Sequence, residues 1–249
     1  MLVERGLSES RAKAKLAVLE GRVLINGHLA HKPSDWVTPL DELSVSVPEK
    51  FVSRGGLKLE HALNCFALPL ENVIALDIGA STGGFTDCLL QRGVKRVFAI
   101  DVGQGQLAWK LRQDQRVVVM ERVNARFLTK AHFSDTGVEF NGADLIVVDC
   151  SFISLRLIVP PVLAFLKPGG KIVALIKPQF EAGRDEVSRG RGVIRDAEIH
   201  ERVIEQLREF CGTLPGVVWE QVVASPILGP AGNKEFLVLL SLTDLEQKK

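Results

Sequence analysis

Beyond residue 70 the chain alternates short apolar runs with longer mixed stretches. The runs fall at 73–78, 96–101, 117–121, 144–149, 171–176, 217–224 and 236–242, and the stretches 84–92, 104–112, 154–167 and 196–210 are long enough for helices. Hydrophobicity that is continuous within a run marks a strand buried on both faces, and spacers of crossover length mark parallel neighbours. The pattern predicts a doubly wound parallel sheet with helices on both sides. The last two runs differ. Pro226, Gly229, Pro230 and Gly232 fill the short gap between them, which predicts an antiparallel hairpin at one edge.

The first 50 residues follow another pattern. Ser8 is placed to cap a helix over 9–20 with Ala12, Leu16 and Leu19 on one face, and Gly21 supplies a left-handed stop. Val23-Leu24-Ile25, then Asn26-Gly27 and a return through 28–32, predict a tight hairpin, and 41–47 alternates like a short strand. With 48–50 as linker, the sequence divides into predicted domains at 1–50 and 51–245, with no internal repeat.

Composition narrows the class. At 46% hydrophobic and 24% charged, the 249 residues can bury a full core. With 31 Lys+Arg against 30 Asp+Glu, no whole-molecule field announces a nucleic-acid or membrane partner, so a charged site must be local. The charge is concentrated between Arg5 and Lys32, where six cations face Glu9 and Glu20, a net of +4. Arg11 and Lys15 stand one helical turn apart and Arg22 lies past the helix end, so the three can meet a phosphate backbone together or simply form a solvated face. The charged N-terminus lacks the apolar run of a signal peptide. The most apolar stretch, 145–166, is broken by Asp149, Arg156, Pro160 and Pro161, so the expected location is the cytoplasm. The four cysteines and five histidines show no metal-ligand spacing, and no metal is expected.

Candidate chemistry gathers at strand ends. The run at 73–78 passes into D-I-G-A-S-T-G-G-F, which places Asp77, Gly79, Ala80, Gly83, Gly84 and Phe85 at a strand-to-helix turn where a backbone can approach a ligand closely. A dinucleotide fingerprint would read G-x-G-x-x-G. Asp101 ends the second run, where an acid can hold ribose hydroxyls for a nicotinamide cofactor as well as for others. Lys58, Asp149, Lys177 and Glu235 flank the same edge, each also readable as a polar residue where the chain meets water.

The S-R-A-K-A-K-L-A-V-L-E-G-R-V-L-I-N-G-H-L-A-H-K-P-S segment resembles an S4 RNA-binding domain, a module that docks on structured RNA. The D-x-G-x-x-x-G-G turn resembles motif I of class I S-adenosylmethionine-dependent methyltransferases. Further matches are S-R-G-G-L-K-L before it, V-D-C-S-F-I-S-L and I-K-P-Q-F-E after the fourth and fifth strands, and N-K-E-F near the end. Together they resemble the FtsJ-type ribose 2′-O-methyltransferases and, with the S4 module, the TlyA family, often labelled hemolysin. The implied fold is a Rossmann-like methyltransferase sheet with a small α+β S4 domain. The implied activity is methylation of a cytidine 2′-hydroxyl in 16S or 23S ribosomal RNA, with ribosomal RNA or subunits as partners.

The resemblance also implies roles. Lys58, Asp149, Lys177 and Glu235 would form the catalytic tetrad: Lys177 as base, Lys58 on the 2′-oxygen, Asp149 orienting Lys177 and Glu235 fixing Lys58. A ribose hydroxyl is a weak nucleophile at neutral pH, so proton removal is required, and desolvation beside a second cation is how a lysine becomes a base. Nearby carboxylates oppose that shift, which leaves more of the work to geometry. S-adenosylmethionine would lie on the motif I turn, with Asp101 on its ribose and Asn124 and Ala125 at its adenine. Asn124 also reads as a plain turn residue. Asp77 would orient the loop amides or receive the methionine ammonium. Arg54, Arg189 and Arg191 join Arg11, Lys15 and Arg22 as RNA contacts, the first beside Lys58 and the next two in a Gly- and Arg-rich loop after Lys177. The competing readings are a silent RNA-binding factor, a membrane-active cytolysin and a nicotinamide dehydrogenase.

Overall fold

The computed structural model describes residues 1–19, 21–46 and 49–243. The chain divides into two compact units, Met1–Lys50 and Phe51–Lys249.

In the first unit a helix, α1 (Arg11–Leu19), is followed by strands β1 (Val23–Ile25), β2 (His28–Leu29) and β3 (Leu43–Val45), in the sheet order β2-β1-β3. The helix begins later than the sequence predicted. Ser10, not Ser8, accepts the Lys13 amide through its hydroxyl at 3.2 Å, while the Ser8 hydroxyl donates to the Ser10 carbonyl. The buried face is also different. Ala17 and Val18 pack with Val23 and Ala30, whereas Leu16 and Leu19 are exposed. The shorter helix turns its 17/18 edge toward β1, and the predicted 12/16/19 stripe points away from it. Gly21 is left-handed as expected. Asn26 and Gly27 at φ 52° and 81°, with Ile25 opposite His28, form the two-residue turn whose twist suits a hairpin. The predicted helix end at Glu20, strand end at Val47 and linker residue Pro48 lie outside the described residues.

The second unit opens with α2 (Gly55–Phe66), which its double-glycine start hid from sequence reading. There follow β4 (Ile74–Ile78), α3 (Gly84–Gln91), β5 (Arg96–Asp101), α4 (Trp109–Arg112), β6 (Val117–Glu121), a 3-10 turn (Ala125–Phe127), α5 (Lys130–Ser134), β7 (Ala143–Val148) and α6 (Leu155–Leu163). The chain continues through β8 (Leu166–Ile176), α7 (Pro178–Glu181), α8 (Arg184–Arg189), α9 (Ala197–Gly212), β9 (Val217–Ala224) and β10 (Phe236–Leu242). Sheet order is β6-β5-β4-β7-β8-β10-β9. The first five of these strands run parallel, and β10 is antiparallel to both β8 and β9, which leaves β9 at the edge.

Period-2 alternation accounts for the layers. Leu76, Ile78, Phe98, Ile146 and Ile172 point to one face, where they pack with residues of α6 and α9. Ala75, Val97, Leu145, Val173 and Leu237 point to the other, with Leu59 and Leu63 of α2 and Leu89 of α3. Each fully buried Leu or Phe contributes about 1.5–3 kcal/mol, so a sheet covered on both faces supplies the main driving force. Two predicted helices shrink. Of 104–112 only α4 remains, because Gly103 and Gly105 sit in a loop tied back to Asp101 and Glu121. Of 154–167 only α6 remains, and Leu166 already belongs to β8. Among the described residues no helix is long and apolar enough to cross a membrane. Strand order reverses between β4 and β7, which opens a crevice at their carboxyl ends.

Candidate active site

The crevice is built from the turn after β4. Gly79 is left-handed, and a Cβ there would lie 2.8 Å from the Asp149 carbonyl oxygen, so only glycine lets this turn lie against the end of β7. Gly83 precedes α3, and Ala80 and Phe85 are buried beside it. At Gly84 a Cβ would meet Ser53 Oγ at 2.3 Å and the Gly56 nitrogen at 2.9 Å, so the glycine seats the Ser53–Gly56 segment on the start of α3. Asp101 ends β5 and binds backbone with both oxygens: Ser81 N–H donates at 2.8 Å and Gly103 N–H at 2.7 Å. Asn124 accepts the Arg126 amide at 3.1 Å and caps the 3-10 turn, in which Ala125 is buried.

Four distant residues meet beside this turn as two pairs. Lys58 of α2 donates to Glu235, just before β10, at 2.6 Å, with Glu235 only 1% exposed. Lys177, just after β8, forms an ion pair with Asp149 at 2.7 Å and donates to Ser151 Oγ at 2.8 Å. All five, with Ser53, Arg54, Gly79, Ala80, Gly84 and Phe85, line a cavity of about 350 Å³. Asp77, near the end of β4, is fully buried. One of its oxygens accepts the Thr86 hydroxyl at 2.6 Å, and the other has no hydrogen-bond partner among the described residues. Burial pushes its carboxyl up to about 7 against the opposing Thr86 hydrogen bonds, and Asp149 adds to the rise. Burial likewise pushes the Cys150 thiol up to about 12, with Asp149 adding, which leaves it protonated.

An FtsJ-like methyltransferase model matches residues 51–242 and an S4 domain model residues 1–43. The chain belongs to the FtsJ-like methyltransferase family. It is 48% identical over 241 residues to the "Putative rRNA methyltransferase YqxC" of Bacillus subtilis, covering 96% of this chain and 83% of that one. It is 43% identical over 248 residues to the 16S/23S rRNA (cytidine-2'-O)-methyltransferase TlyA of Mycobacterium tuberculosis, covering 98% and 89%. A solved "Putative hemolysin" from Streptococcus thermophilus superposes with TM-score 0.72 at 44% identity, covering 98% and 86%.

In this FtsJ-like methyltransferase chain three of the predicted RNA-contacting cations belong to each compact unit. Arg54 is exposed on the cavity rim and reaches the Leu228 carbonyl at 3.4 Å. Arg189 ends α8, and Arg191 follows in a left-handed turn, so the predicted loop is partly helical. Arg11 and Lys15 are exposed on α1, while Arg22 donates to the Ser46 carbonyl at 3.1 Å.

Sequence reading missed several neighbours. Ser151 stands two residues after Asp149, and that spacing was the available signal. Glu181, whose carboxyl burial raises, accepts Ser154 Oγ at 2.6 Å and Leu155 N–H at 2.8 Å, which joins the segments after β7 and β8. Asn233 accepts Ile194 N–H and donates to the Gly192 carbonyl, both at 2.9 Å, and so ties the arginine segment to the segment carrying Glu235. Both lie inside motifs that the sequence shows, Glu181 at the end of I-K-P-Q-F-E and Asn233 at the start of N-K-E-F, but no role was read from them.

Proposed function

We propose that this chain is an S-adenosylmethionine-dependent ribosomal RNA methyltransferase that acts on a cytidine 2′-hydroxyl. The observation that carries this is the convergence of the Lys58–Glu235 and Lys177–Asp149 pairs on one cavity beside the glycine turn. The name of the Mycobacterium tuberculosis relative supports cytidine as the target.

The residues present suit the cofactor. The glycine turn gives close backbone approach, Asp101 stands at the ribose position and Asn124 with Ala125 at the adenine position. The unpartnered Asp77 oxygen leaves a buried hydrogen-bond acceptor at the base of the glycine turn, and a cationic ligand beside it would favour its ionised form. S-adenosylmethionine, when bound, supplies an electrophilic methyl group. The protein supplies placement and proton handling: Lys58 holds the 2′-oxygen, Lys177, after losing its own proton to solvent, accepts the 2′-hydroxyl proton as the neutral amine, Asp149 and Ser151 hold Lys177, and Glu235 holds Lys58. Each lysine nitrogen is fixed by a short contact at 2.6–2.8 Å, so little reorientation remains to be made at the moment of reaction. Arg54, Arg189 and Arg191 approach the RNA backbone near the cavity, and the S4 unit provides docking through Arg11, Lys15 and Arg22. Its substrate places the enzyme in the cytoplasm.

The test is incubation with labelled S-adenosylmethionine and unmodified ribosomal subunits, with mapping by nuclease digestion and mass spectrometry. A ribose-linked methyl group that is lost in Asp149→Ala is expected. Absence of transfer to either subunit and to free ribosomal RNA, despite cofactor binding, would overturn the assignment. Near-normal single-turnover transfer by folded Lys177→Ala would remove Lys177 as the base. Neutralising Arg189 and Arg191 should weaken RNA binding and flatten its salt dependence; an unchanged slope would remove them as contacts.

A further inference from the structure

We propose that a concavity in the first unit seats a single unstacked RNA nucleotide, with its base on Trp36 and its phosphates among Arg11, Lys15 and Lys32. This rests on the RNA-methylating function above and identifies what that RNA must present to the unit.

Charge partition inside the unit carries the inference. Over residues 1–50 seven Lys and Arg face seven Asp and Glu, so the unit as a whole attracts no polyanion. Several of its cations are already committed. Arg5 donates to the carbonyls of Thr38, Pro39 and Asp41, Lys13 pairs with Glu9, and Arg22 donates to Ser46. By contrast, the side chains of Arg11, Lys15 and Lys32 make no hydrogen bond or ion pair among the described residues. These three line one concavity of about 510 Å³, and none of the committed three does. Cations that line one hollow without a hydrogen bond to hold them make a local anion site in a neutral unit.

The rest of the hollow fits a base. Val18, Val23 and Ile25 form an apolar floor, and Trp36 stands at the wall with 90% of its surface exposed. An indole left in water offers a large stacking face, and stacking accepts any base. The segment that carries it is preset, because Asp35 accepts the amides of His31 at 2.7 Å and Lys32 at 3.2 Å and so fixes the turn between Lys32 and Trp36. Two carboxylates also line the hollow. Both stay ionised, Glu4 beside the N-terminal ammonium at 3.0 Å and within the field of Arg11, and Asp35 within that of Lys32, but the ammonium, Arg11, Lys15 and Lys32 together outnumber them four to two. A base stacked inside a duplex cannot present its face to an indole, so the fitting ligand is a bulged, looped or single-stranded nucleotide.

The experiment uses the full chain and fluorescence anisotropy with a labelled ten-nucleotide single-stranded RNA and a blunt duplex of the same sequence. Trp36→Ala should weaken single-strand binding by about 5- to 150-fold, the loss of one base–aromatic stack, and leave duplex binding unchanged. Trp36→Phe should keep most of the affinity. Lys15→Gln and Lys32→Gln should each lower the logarithmic salt slope for the single strand by about 0.7. Equal single-strand affinity in Trp36→Ala, or equal losses on strand and duplex, would overturn the proposal. So would a loss seen only with intact ribosomal subunits and not with naked RNA, which would make Trp36 a protein contact. Methyl transfer to naked ribosomal RNA separates the two readings. Wild-type transfer with Trp36→Ala silent in every binding assay fails this inference alone, whereas Trp36-dependent binding without any transfer fails the enzymatic assignment alone.

Discussion

Replacing Asp77 with asparagine should make the second unit less sensitive to alkaline pH. Asp77 is fully buried, one of its oxygens is held by Thr86 and the other has no hydrogen-bond partner among the described residues. Its carboxyl titrates near 7 in the fold because burial disfavours the anion, against 3.8 when free. Between those values the folded protein holds a proton that the unfolded chain has lost. Stability therefore falls as pH rises through this window and levels off above about 7. At 1.36 kcal/mol per pH unit the whole effect is about 4 kcal/mol, of which roughly 2.5 kcal/mol accrues between pH 5 and 8. Asparagine keeps an oxygen for Thr86 and does not titrate, so Asp77→Asn should gain about 2–3 kcal/mol on wild type over that interval. Urea unfolding in a Trp36→Phe background, where Trp109 and Trp219 report only the second unit, measures it. The contribution of Glu181, also raised by burial, is common to both proteins and drops out of the difference. A difference that stays flat from pH 5 to 8 would refute the reasoning.

The buried pair gives a second expectation: Glu235→Gln leaves Lys58 without its counter-charge and should cost about 3–5 kcal/mol in unfolding experiments. Joint replacement by Lys58→Met and Glu235→Leu should recover most of that stability while methyl transfer stays lost. Gly84→Ala drives a Cβ to 2.9 Å from the Gly56 nitrogen, which cannot rotate aside as the Ser53 hydroxyl can. It should cost about 1–3 kcal/mol by thermal melting, and Ser53→Ala should not rescue it. Ser151→Ala removes one hydrogen bond to Lys177, about 1 kcal/mol. It should therefore lower kcat by about fivefold with RNA affinity unchanged; a change in KM alone would place Ser151 in substrate binding instead.

Much of the sheet was legible because its strands are buried on both faces. Ala75 and Leu76 both had to be apolar, as did Leu145 and Ile146, so the runs stand out without alternation. What escaped was decided by contacts remote in sequence. Ser8 and Ser10 are equally good caps on paper, and only the packing of Ala17 and Val18 against Val23 and Ala30 selects the later start. The stretch 104–112 has helical length, yet the Asp101 carboxylate and Glu121 claim the amides of Gly103 and Gly105 for a loop. The site divides in the same way. Asp149 and Lys177 follow strand ends, a position that sequence pattern reveals, while the Lys58–Glu235 bond spans 177 residues and could be expected only from the family resemblance.

The polar residues that link the segments of the site share a structural habit that bears on how the site holds its shape. Its walls come from segments that no regular ladder joins, and a buried or half-buried polar side chain bonds each to a neighbour's backbone amide. Asp87 accepts Val52 N–H at 2.8 Å, Asp101 accepts Ser81, Glu181 accepts Leu155, and Asn233 accepts Ile194. A bond ending on an amide fixes where a loop runs, whereas a bond between side-chain tips fixes only those tips. The four links therefore set the backbone on which Lys58, Asp149, Lys177 and Glu235 stand, and the lysine–carboxylate pairs need only complete the alignment. A displacement of about 1 Å in any one segment is enough to cost on the order of a hundredfold in rate. The fold thus places these linking polar residues where precision is needed, one bond removed from the groups that do the chemistry.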